Sequence, residues 1–485
     1  DSAQEGRSES WRSILPISFV VALSLQVKFS VGLFSIIGFL LLSLVWWRSR
    51  RSILIAWGSL VAWFLVLWLI SEHTFGGLFD WARRSVAIGG AYAEVQSLSL
   101  GQPILLVMYV VFAIATVILL VHRHRACSST RTVRIVSSLL VLFMLYAGLK
   151  TGFVREGNAH AFEAFALLIP AWIWLAAPIR VTLRRLVLLA VPAIVGISIL
   201  VGERPAVGSF SSLYNWPEKA SVWIDDANLL TSTVVFERKA DAARGAAQAF
   251  YGLNDDMVRW LRESPAQVDP FDASLIWAYG LPWRPMPIFQ TYMNFTPFLD
   301  GVTTTALADR AVDETILIDT SWVGNLDYRL SLWTSPRYQL ALTCSWIPIH
   351  RDGRWEQWAK NPSGDRCGSP QPIGTENVAA NQIMTIPASG SDSFIIATFT
   401  RSSAVPSVVA GAINLLYKPL DPFTIRLGEQ EIRQPRTFDG SPLIVSCPSG
   451  LPVTRRYEAV CPSPLTISFS ESGTVTFERI PTRSS

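Results

Sequence analysis

Residues 104–121 read ILLVMYVVFAIATVILLV and are followed at once by HRHR at 122–125. A helix of about 18 apolar residues can cross the ~30 Å hydrocarbon core of a bilayer. Near-uninterrupted apolar runs of this kind recur at 14–27, 29–47, 53–70, 133–149, 161–177 and 186–201. The first run is the shortest and stops before Lys28, so it is a short span, an interfacial helix or part of a bent segment. The sequence therefore predicts an α-helical membrane bundle of about six to seven transmembrane helices within residues 1–202.

The composition supports a chain with two different halves. Of 485 residues, 50% are hydrophobic and only 16% are charged, against roughly 25% charged in ordinary soluble domains. Residues 1–202 contain 17 Lys and Arg but 8 Asp and Glu, whereas residues 203–485 contain 24 and 29. A single soluble globule and a disordered chain are excluded. A nucleic-acid binder is excluded too, because the basic half is also the apolar half.

The distribution of Lys and Arg predicts the orientation of the helices. Cytoplasmic loops carry an excess of these residues, and arginines cluster at 48–51, 122–134 and 178–185. These three stretches alternate with the others and are placed in the cytoplasm. Residues 71–103, residues 149–160 and the chain after 202 then lie outside, which predicts a multi-pass protein of a bacterial cytoplasmic membrane with a periplasmic or otherwise exterior C-terminal domain.

Cysteine positions agree with that orientation. Cys127 falls in a predicted cytoplasmic loop, and the other four fall in the predicted exterior domain, as redox compartments favour. The shortest loops favour the pairs Cys344–Cys367 and Cys447–Cys461, while the other pairings and free thiols stay open.

The exterior part is predicted to be mostly β, of the α+β class, with a helical or mixed region at 203–330 and a β-rich domain at 331–485. Residues 239–263 have a helical pattern, with Asn254 or Asp255 as a cap. Alternating patterns predict strands at 314–319, 340–344, 393–399 and 443–447. Residues 465–469 and 474–477 are predicted to form a hairpin that turns through Gly473.

Two predicted exterior loops concentrate charge. In the first, Asp80, Arg83 and Arg84 share one face if the segment is helical, and such a helix would lie at the membrane surface with Phe79 and Trp81 at the interface. The second contains Lys150, Arg155, Glu156 and His160, with Glu163 just beyond. Ionisable groups near the hydrocarbon edge usually face the bundle or a wet cavity.

One interpretation assigns these residues to catalysis on a lipid-linked substrate. Arg83, Arg84, Lys150 and Arg155 would bind the phosphates of a lipid-linked sugar donor. The candidate acids or bases are Asp80, Glu94, Glu156 and His160. The alternative is that the cations contact ordinary lipid head groups and that His160 makes a structural hydrogen bond. No metal site is predicted, since the chain has only 5 His and no zinc-ligand spacing, although a divalent metal stays open as a cofactor.

An aromatic and proline-rich segment spans residues 277–297. Its aromatic rings, interleaved with Pro and amide side chains, suit stacking on a sugar. They equally suit a rigid loop that docks on the membrane part.

Three segments resemble a group of uncharacterised bacterial polytopic membrane proteins. They are Gly152-Phe-Val-Arg155-Glu156-Gly157-Asn158-Ala-His160, Trp283-Arg284-Pro285-Met-Pro287-Ile-Phe289-Gln290-Thr-Tyr292, and Arg84-Ser85 through Gly90, Tyr92 and Glu94. The group's architecture is similar to the GT-C class of glycosyltransferases. The resemblance implies a polyprenyl-phosphate sugar donor and a catalytic carboxylate in the first exterior loop, which would lie upstream of Asp1 if residues 1–202 are the C-terminal part of a larger bundle.

Two functions are therefore expected as alternatives. The first is an integral membrane glycosyltransferase-like protein that takes a sugar from a polyprenyl-phosphate donor to a cell-envelope glycan acceptor, with membrane lipid as its other partner. The second is a non-enzymatic, membrane-anchored exterior domain that binds glycan or protein.

Overall fold

A computed structural model describes most of the chain, and its contacts divide the described residues into two compact units. The helical unit comprises 10–89 and 96–176, and the C-terminal unit comprises Gly90–Val95 together with the described residues from 231 onward. The described residues are 10–46, 49–71, 74–97, 103–127, 129–155, 158–176, 231–322, 329–402, 423–448, 460 and 465–482. The predicted run at 186–201 lies outside them.

The first eight helices belong to the N-terminal part of the chain. They are α1 Ser10–Val27, α2 Phe29–Ser43, α3 Arg50–Ile70, α4 Phe75–Gln96, α5 Pro103–Ala126, α6 Arg131–Phe153, α7 Asn158–Ala166 and α8 Ile169–Ala176. Thr74, Ser49 and Thr130 accept a backbone N–H as side-chain caps of α4, α3 and α6, which satisfies donors that a helix start leaves unpaired.

Four of the described helical segments are long and apolar enough to cross a membrane: Phe29–Trp46, Arg50–Ile70, Pro103–Ala126 and Arg131–Phe153. This suggests a membrane protein. The predicted run at 161–177 is divided between α7 and α8, and Pro170 at the second position of α8 explains the break because proline cannot donate the N–H that would continue α7. The apolar part of α1, Ile14–Val27, is shorter than the four candidate spans.

Aromatic and small side chains hold the helical unit together. Phe112 on α5 stacks on Trp172 on α8 with ring centroids 4.4 Å apart, and the Trp172 indole N–H donates to Thr116 Oγ1 at 2.7 Å. Many large apolar side chains point outward, for example Leu54, which is 73% exposed. An outward apolar surface of this extent is what a lipid environment requires and a water-soluble bundle avoids.

The C-terminal unit begins with helices and a mixed sheet. The helices are α9 Thr233–Tyr251, α10 Asp255–Glu263, α11 Ser274–Tyr279, α12 Pro297–Ala308 and α13 Pro336–Ser345, and the strands are β1 Ala266–Asp269, β2 Thr315–Asp319, β3 Trp346–Asp352 and β4 Trp355–Lys360. The strand order is β1-β2-β4-β3, with β1 and β2 parallel. Asn254 caps α10, accepting from Met257 N at 2.8 Å, which confirms the predicted cap.

Two further sheets share one apolar core. Their strands are β5 Gln371–Val378, β6 Met384–Thr385, β7 Ser393–Arg401, β8 Thr424–Leu427, β9 Gln430–Arg433, β10 Pro442–Ser446, β11 Thr466–Phe469 and β12 Gly473–Pro481. One sheet has the order β10-β7-β12-β5 and the other β6-β11-β8-β9. Phe399 on β7 stacks on Phe469 on β11 at 4.3 Å between centroids, so residues from both sheets meet in the core. Apolar helices followed by a mostly β region agree with the predicted fold order.

Two sequence expectations about this unit differ from the structure. Residues 340–344 are helical, within α13, rather than a strand. Residues 465–469 and 474–477 are strands but not a hairpin, because β11 pairs with β6 and β8 whereas β12 pairs with β5 and β7. The first sheet takes strands from both sides of residue 330.

A disulfide joins Cys344 to Cys367, with Cα atoms 5.1 Å apart, as expected from the short loop. Cys447 is disulfide-bonded as well, and its expected partner, Cys461, lies outside the described residues. Among the cysteines that the structure describes, Cys127 is the free one.

Candidate functional site

The charged residues of the first loop lie on helix α4. Asp80 and Arg84 form an ion pair at 3.6 Å, and Arg83 is exposed, so the predicted helical face exists. Phe79 and Trp81, both expected at the membrane interface, lie on different faces of α4, and Phe79 is 75% exposed. Trp81 packs among Phe29, Phe64 and Trp68, with centroid distances of 5.6, 5.9 and 5.3 Å, because residues two apart on a helix point in nearly opposite directions.

The charged residues of the second loop that the structure describes lie in the helical unit. Lys150 is half-buried near the end of α6. Arg155 donates from Nη1 to the side-chain oxygen of Gln96, and His160 Nδ1 lies 3.4 Å from Glu163 Oε2. Glu156 lies outside the described residues. Among the described members of this loop, Arg155 thus contacts the end of α4 and His160 contacts Glu163 on its own helix.

Glu94 belongs to the C-terminal unit although it lies on α4. Burial raises the pKa of the Glu94 carboxyl above its ordinary value of 4.5. The guanidinium groups of Arg436 and Arg401, and backbone N–H groups of Arg436 and Thr437, act in the opposite direction and lower that pKa. Because its pKa is raised, this carboxyl binds a proton more readily than an ordinary glutamate, which is a property that general acid–base catalysis uses.

Three arginines of the β region lie close to Glu94. Arg433, at the end of β9, is 7% exposed and donates to the main-chain oxygen of Glu94. Arg436 lies in a short 3-10 turn, where its Nε and Nη2 donate to Glu471 Oε1 at 2.8 and 2.5 Å. Arg401, at the end of β7, pairs with Asp439 at 3.5 Å and Glu471 at 3.6 Å. We call Glu94, Arg401, Arg433, Arg436, Asp439 and Glu471 the Glu94 cluster.

The aromatic segment at 277–297 contacts residues next to the Glu94 cluster. The ring of Tyr92 packs edge-on against Phe295 with centroids 6.3 Å apart, and Thr437 Oγ1 donates to the main-chain oxygen of Phe295 at 2.7 Å. Arg329, which is 1% exposed, lies about equally far from the rings of Tyr292 and Phe295, at 6.0 and 5.9 Å. Two segments that carry the sequence resemblance, around Tyr92–Glu94 and around Tyr292, therefore lie beside the Glu94 cluster.

Earlier in the same aromatic segment, two rings remain half-exposed. Trp283 and Phe289 are 45% and 44% exposed and contact each other edge-on at 6.1 Å. Their backbone is fixed to β1, since Arg284 N donates to Ala266 O at 3.0 Å and Gln267 Nε2 donates to Phe289 O at 2.8 Å. The segment is a rigid edge of the first sheet.

Sequence reasoning identified Glu94 but missed the arginines around it. Arg401, Arg433 and Arg436 stand in a half of the chain whose net charge is acidic, and Arg433 is 339 residues from Glu94. No local pattern marks such a pairing. Among the described residues, no group of three or more His, Cys, Asp or Glu side chains is placed to hold a metal ion.

Comparison with known proteins does not place this chain in a family. No family model, curated protein or solved structure is detectably similar to this chain.

Proposed function

We propose that the chain is a polytopic membrane glycosyltransferase-like enzyme that takes a sugar from a polyprenyl-phosphate donor to a cell-envelope glycan. The observation that carries this proposal is the Glu94 carboxyl group, buried with a raised pKa next to Arg436 and Arg401. Glycosyl transfer needs a base for the acceptor hydroxyl and positive charge for the leaving phosphate, and this cluster contains both kinds of group.

Membrane placement supports the proposal through connectivity. If α3 and α5 both cross the bilayer, the connection between them, which contains α4, lies on one side. The chain after 202 is expected on the same side as this connection, because the Lys and Arg bias places both it and residues 71–103 outside. This exterior side is where lipid-linked sugars and envelope glycans meet.

The reaction we propose uses the residues as follows. The acceptor hydroxyl oxygen attacks the anomeric carbon of the sugar, and its proton passes to the Glu94 carboxylate. The bond between the anomeric carbon and the phosphate oxygen breaks, and the polyprenyl phosphate leaves with the electron pair. Arg436 and Arg401 stabilise the negative charge on the leaving phosphate, for which guanidinium groups are well suited.

The test is release of polyprenyl phosphate by the full-length protein in nanodiscs, with a panel of radiolabelled polyprenyl-phosphate sugars as donors. We expect Glu94→Gln to lower the rate by about 100-fold or more, the usual scale for loss of a general base. Asp241→Asn is the control, because Asp241 is an exposed carboxyl on α9 that pairs with Arg244 at 3.0 Å and is not a candidate acid or base. Equal rates for Glu94→Gln and wild type would remove Glu94 from the mechanism, and no release from any donor would refute the transferase proposal.

The second candidate function is a membrane-anchored binding domain without catalysis. The specific observation in its favour is that Arg401 and Arg436 already pair with Asp439 and Glu471, so the Glu94 cluster can be read as a structural ion network. Under this alternative Glu94→Gln changes thermal stability while glycan binding by the C-terminal unit persists, and no donor is cleaved.

A further inference from the structure

Helix α4 carries an exposed apolar stripe. Phe75, Phe79 and Val86 are 60%, 75% and 60% exposed, and their spacing of four and seven places them on one face of the helix. Arg83, also exposed, lies three residues before Val86 and borders this stripe. Burying three such side chains would be favourable by several kcal/mol in total, at ~1.5–3 kcal/mol for each large apolar residue, so the stripe calls for a partner surface.

The opposite face of α4 packs onto the ends of two candidate spans. Trp81 contacts Phe29, the first residue of α2, and Trp68, near the last residue of α3. The Trp68 indole also donates to Thr74 O at 3.3 Å, and a Cβ on Gly89 would lie 3.8 Å from Phe29. The start of α2 and the end of α3 are at the same membrane boundary if each crosses once.

These contacts determine the direction of α4. From Thr74 to Gly89 the helix axis advances ~22 Å at 1.5 Å per residue, yet both positions touch residues of that one boundary level. A helix that left the membrane along its normal would be far above this level by Gly89. Helix α4 therefore runs along the boundary, with Trp81 toward the helices and the stripe away from them.

We infer that α4 is an in-plane amphipathic helix whose Phe75, Phe79 and Val86 stripe lies in the acyl-to-headgroup layer of one leaflet, with Arg83 against lipid phosphate. The bilayer is the partner because the stripe continues directly from the ends of the candidate spans and because its bordering charge is positive, as anionic head groups require. The inference rests on the membrane placement in the proposed function but is independent of the transfer reaction.

The test measures depth in the full chain, in phosphatidylcholine–phosphatidylglycerol nanodiscs. In a Cys127→Ser background, a fluorophore is attached at Phe79→Cys, Val86→Cys or, as the control on a neighbouring face, Asp80→Cys. We expect lipids spin-labelled near the head group to quench positions 79 and 86 at least threefold more than lipids labelled near the chain end, and iodide to quench position 80 preferentially. Preferential iodide quenching at 79 and 86 would place the stripe in water, and deep-label quenching would make α4 a span. Either result overturns the inference.

The role of Arg83 has its own measurement. Arg83→Gln should lower the ratio of shallow-lipid to iodide quenching at position 79 by about two- to fivefold, in line with ~1 kcal/mol for one cation near an anionic surface. Arg238→Gln, an exposed arginine of the C-terminal unit, is the matched control and should leave the ratio unchanged. An unchanged ratio for Arg83→Gln would contradict phosphate contact by Arg83. No donor is present in these experiments, so their outcome is separate from the success or failure of the transferase test.

Discussion

Asp300 links two helices that are separated in sequence. It lies on α12 and is fully buried, and its two carboxylate oxygens accept the backbone N–H groups of Arg337 and Tyr338 at 2.9 and 3.1 Å. These are the first free donors of α13, whose own Ser335 does not cap it. Asp300→Ala should therefore lower the free energy of unfolding by about 1–3 kcal/mol, because two buried donors lose their acceptor. Chemical denaturation of the detergent-solubilised protein, followed by near-UV circular dichroism, measures this loss.

Asp300→Asn is the control for that prediction. The amide retains one oxygen acceptor at similar volume, so we expect a smaller loss than for alanine. Equal losses for the two variants would contradict this prediction, because asparagine keeps the side-chain volume and one acceptor that alanine lacks.

Asp272 is predicted to make stability depend on pH. Burial, followed by the negative charge of Asp319, raises the pKa of Asp272 from 3.8 to about 6, while Arg354 opposes this rise. The folded protein thus binds this proton more tightly than the unfolded chain, so the contribution of Asp272 is fully present below pH 3.8 and is lost as pH rises through about 6. We expect Asp272→Asn to stabilise the protein at pH 7.5 relative to wild type and to flatten the fall in stability between pH 3.8 and about 6.

Melting temperatures at a series of pH values test this prediction. Asp241→Asn is the comparison, since Asp241 is 71% exposed and pairs with Arg244 on the surface of α9. A wild-type pH profile that Asp272→Asn leaves intact would show that another group causes the pH dependence.

Only part of the Glu94 cluster could be predicted from the sequence. Glu94 was a candidate because it lies in a charged loop, and local spacing correctly placed Asp80 and Arg84 on one helical face. The arginines of the Glu94 cluster could not be inferred, because Arg401, Arg433 and Arg436 reach Glu94 only through the pairing of strands far along the chain. Burial, which raises the pKa of Glu94, is likewise a property of the folded unit and not of the sequence around it.

At the scale of elements, α6 and α7 pack through glycines. A Cβ on Gly152 would lie 2.5 Å from Ala164 Cβ and 3.0 Å from His160 O, and one on Gly148 would lie 2.4 Å from the Tyr109 hydroxyl. Small residues four apart allow helices in a membrane to approach closely. Gly152→Val should separate α6 from α7 and destabilise the protein by about 1–3 kcal/mol, the usual cost of overpacking, which a fluorescence thermal-shift assay in detergent can measure.

Gly38 provides the matched control for this prediction. It lies in α2, and a Cβ there would meet nothing within 4 Å, so Gly38→Val should leave the melting temperature nearly unchanged. If both variants lower it equally, the effect comes from valine in an apolar helix and not from the contact between α6 and α7.

Elements with clear periodicity were predictable, and elements that depend on pairing were not. The structure has strands β2, β7 and β10 where the sequence predicted strands. Helices α9 and α10 account for the helical pattern predicted at 239–263. Residues 340–344 alternate like a strand, but Pro336 can start a helix, and the buried positions Tyr338, Gln339, Leu342 and Thr343 follow helical spacing. Between β11 and β12 the chain changes sheets at Gly473, where a Cβ would lie 2.5 Å from Thr400 O. Such a close approach to β7 leaves no local signal of a different partner.

Across the whole molecule, the boundary between the basic and the acidic half separates the apolar helices from the β sheets. The basic, apolar half supplies four helices suited to a bilayer, and the acidic half supplies the sheets and the disulfide between Cys344 and Cys367. The order of these parts was predictable because hydrophobic length and alternation are local properties. The membership of Gly90–Val95 in the C-terminal unit was not, since it depends on tertiary contacts.

The orientation of the chain is the remaining whole-molecule prediction, and Cys127 makes it measurable. In intact cells, a membrane-impermeant maleimide should leave Cys127 unlabelled, because the arginine-rich loop that contains it is expected in the cytoplasm; permeabilised cells should show labelling. A cysteine introduced at Glu429, which is exposed in the turn between β8 and β9, should react in intact cells in a Cys127→Ser background.

Disulfides form mainly in oxidising compartments, so the bond between Cys344 and Cys367 independently favours the same side for the C-terminal unit. Labelling of Cys127 but not of Glu429→Cys in intact cells would invert the topology and place Glu94 in the cytoplasm, away from an exterior glycan acceptor.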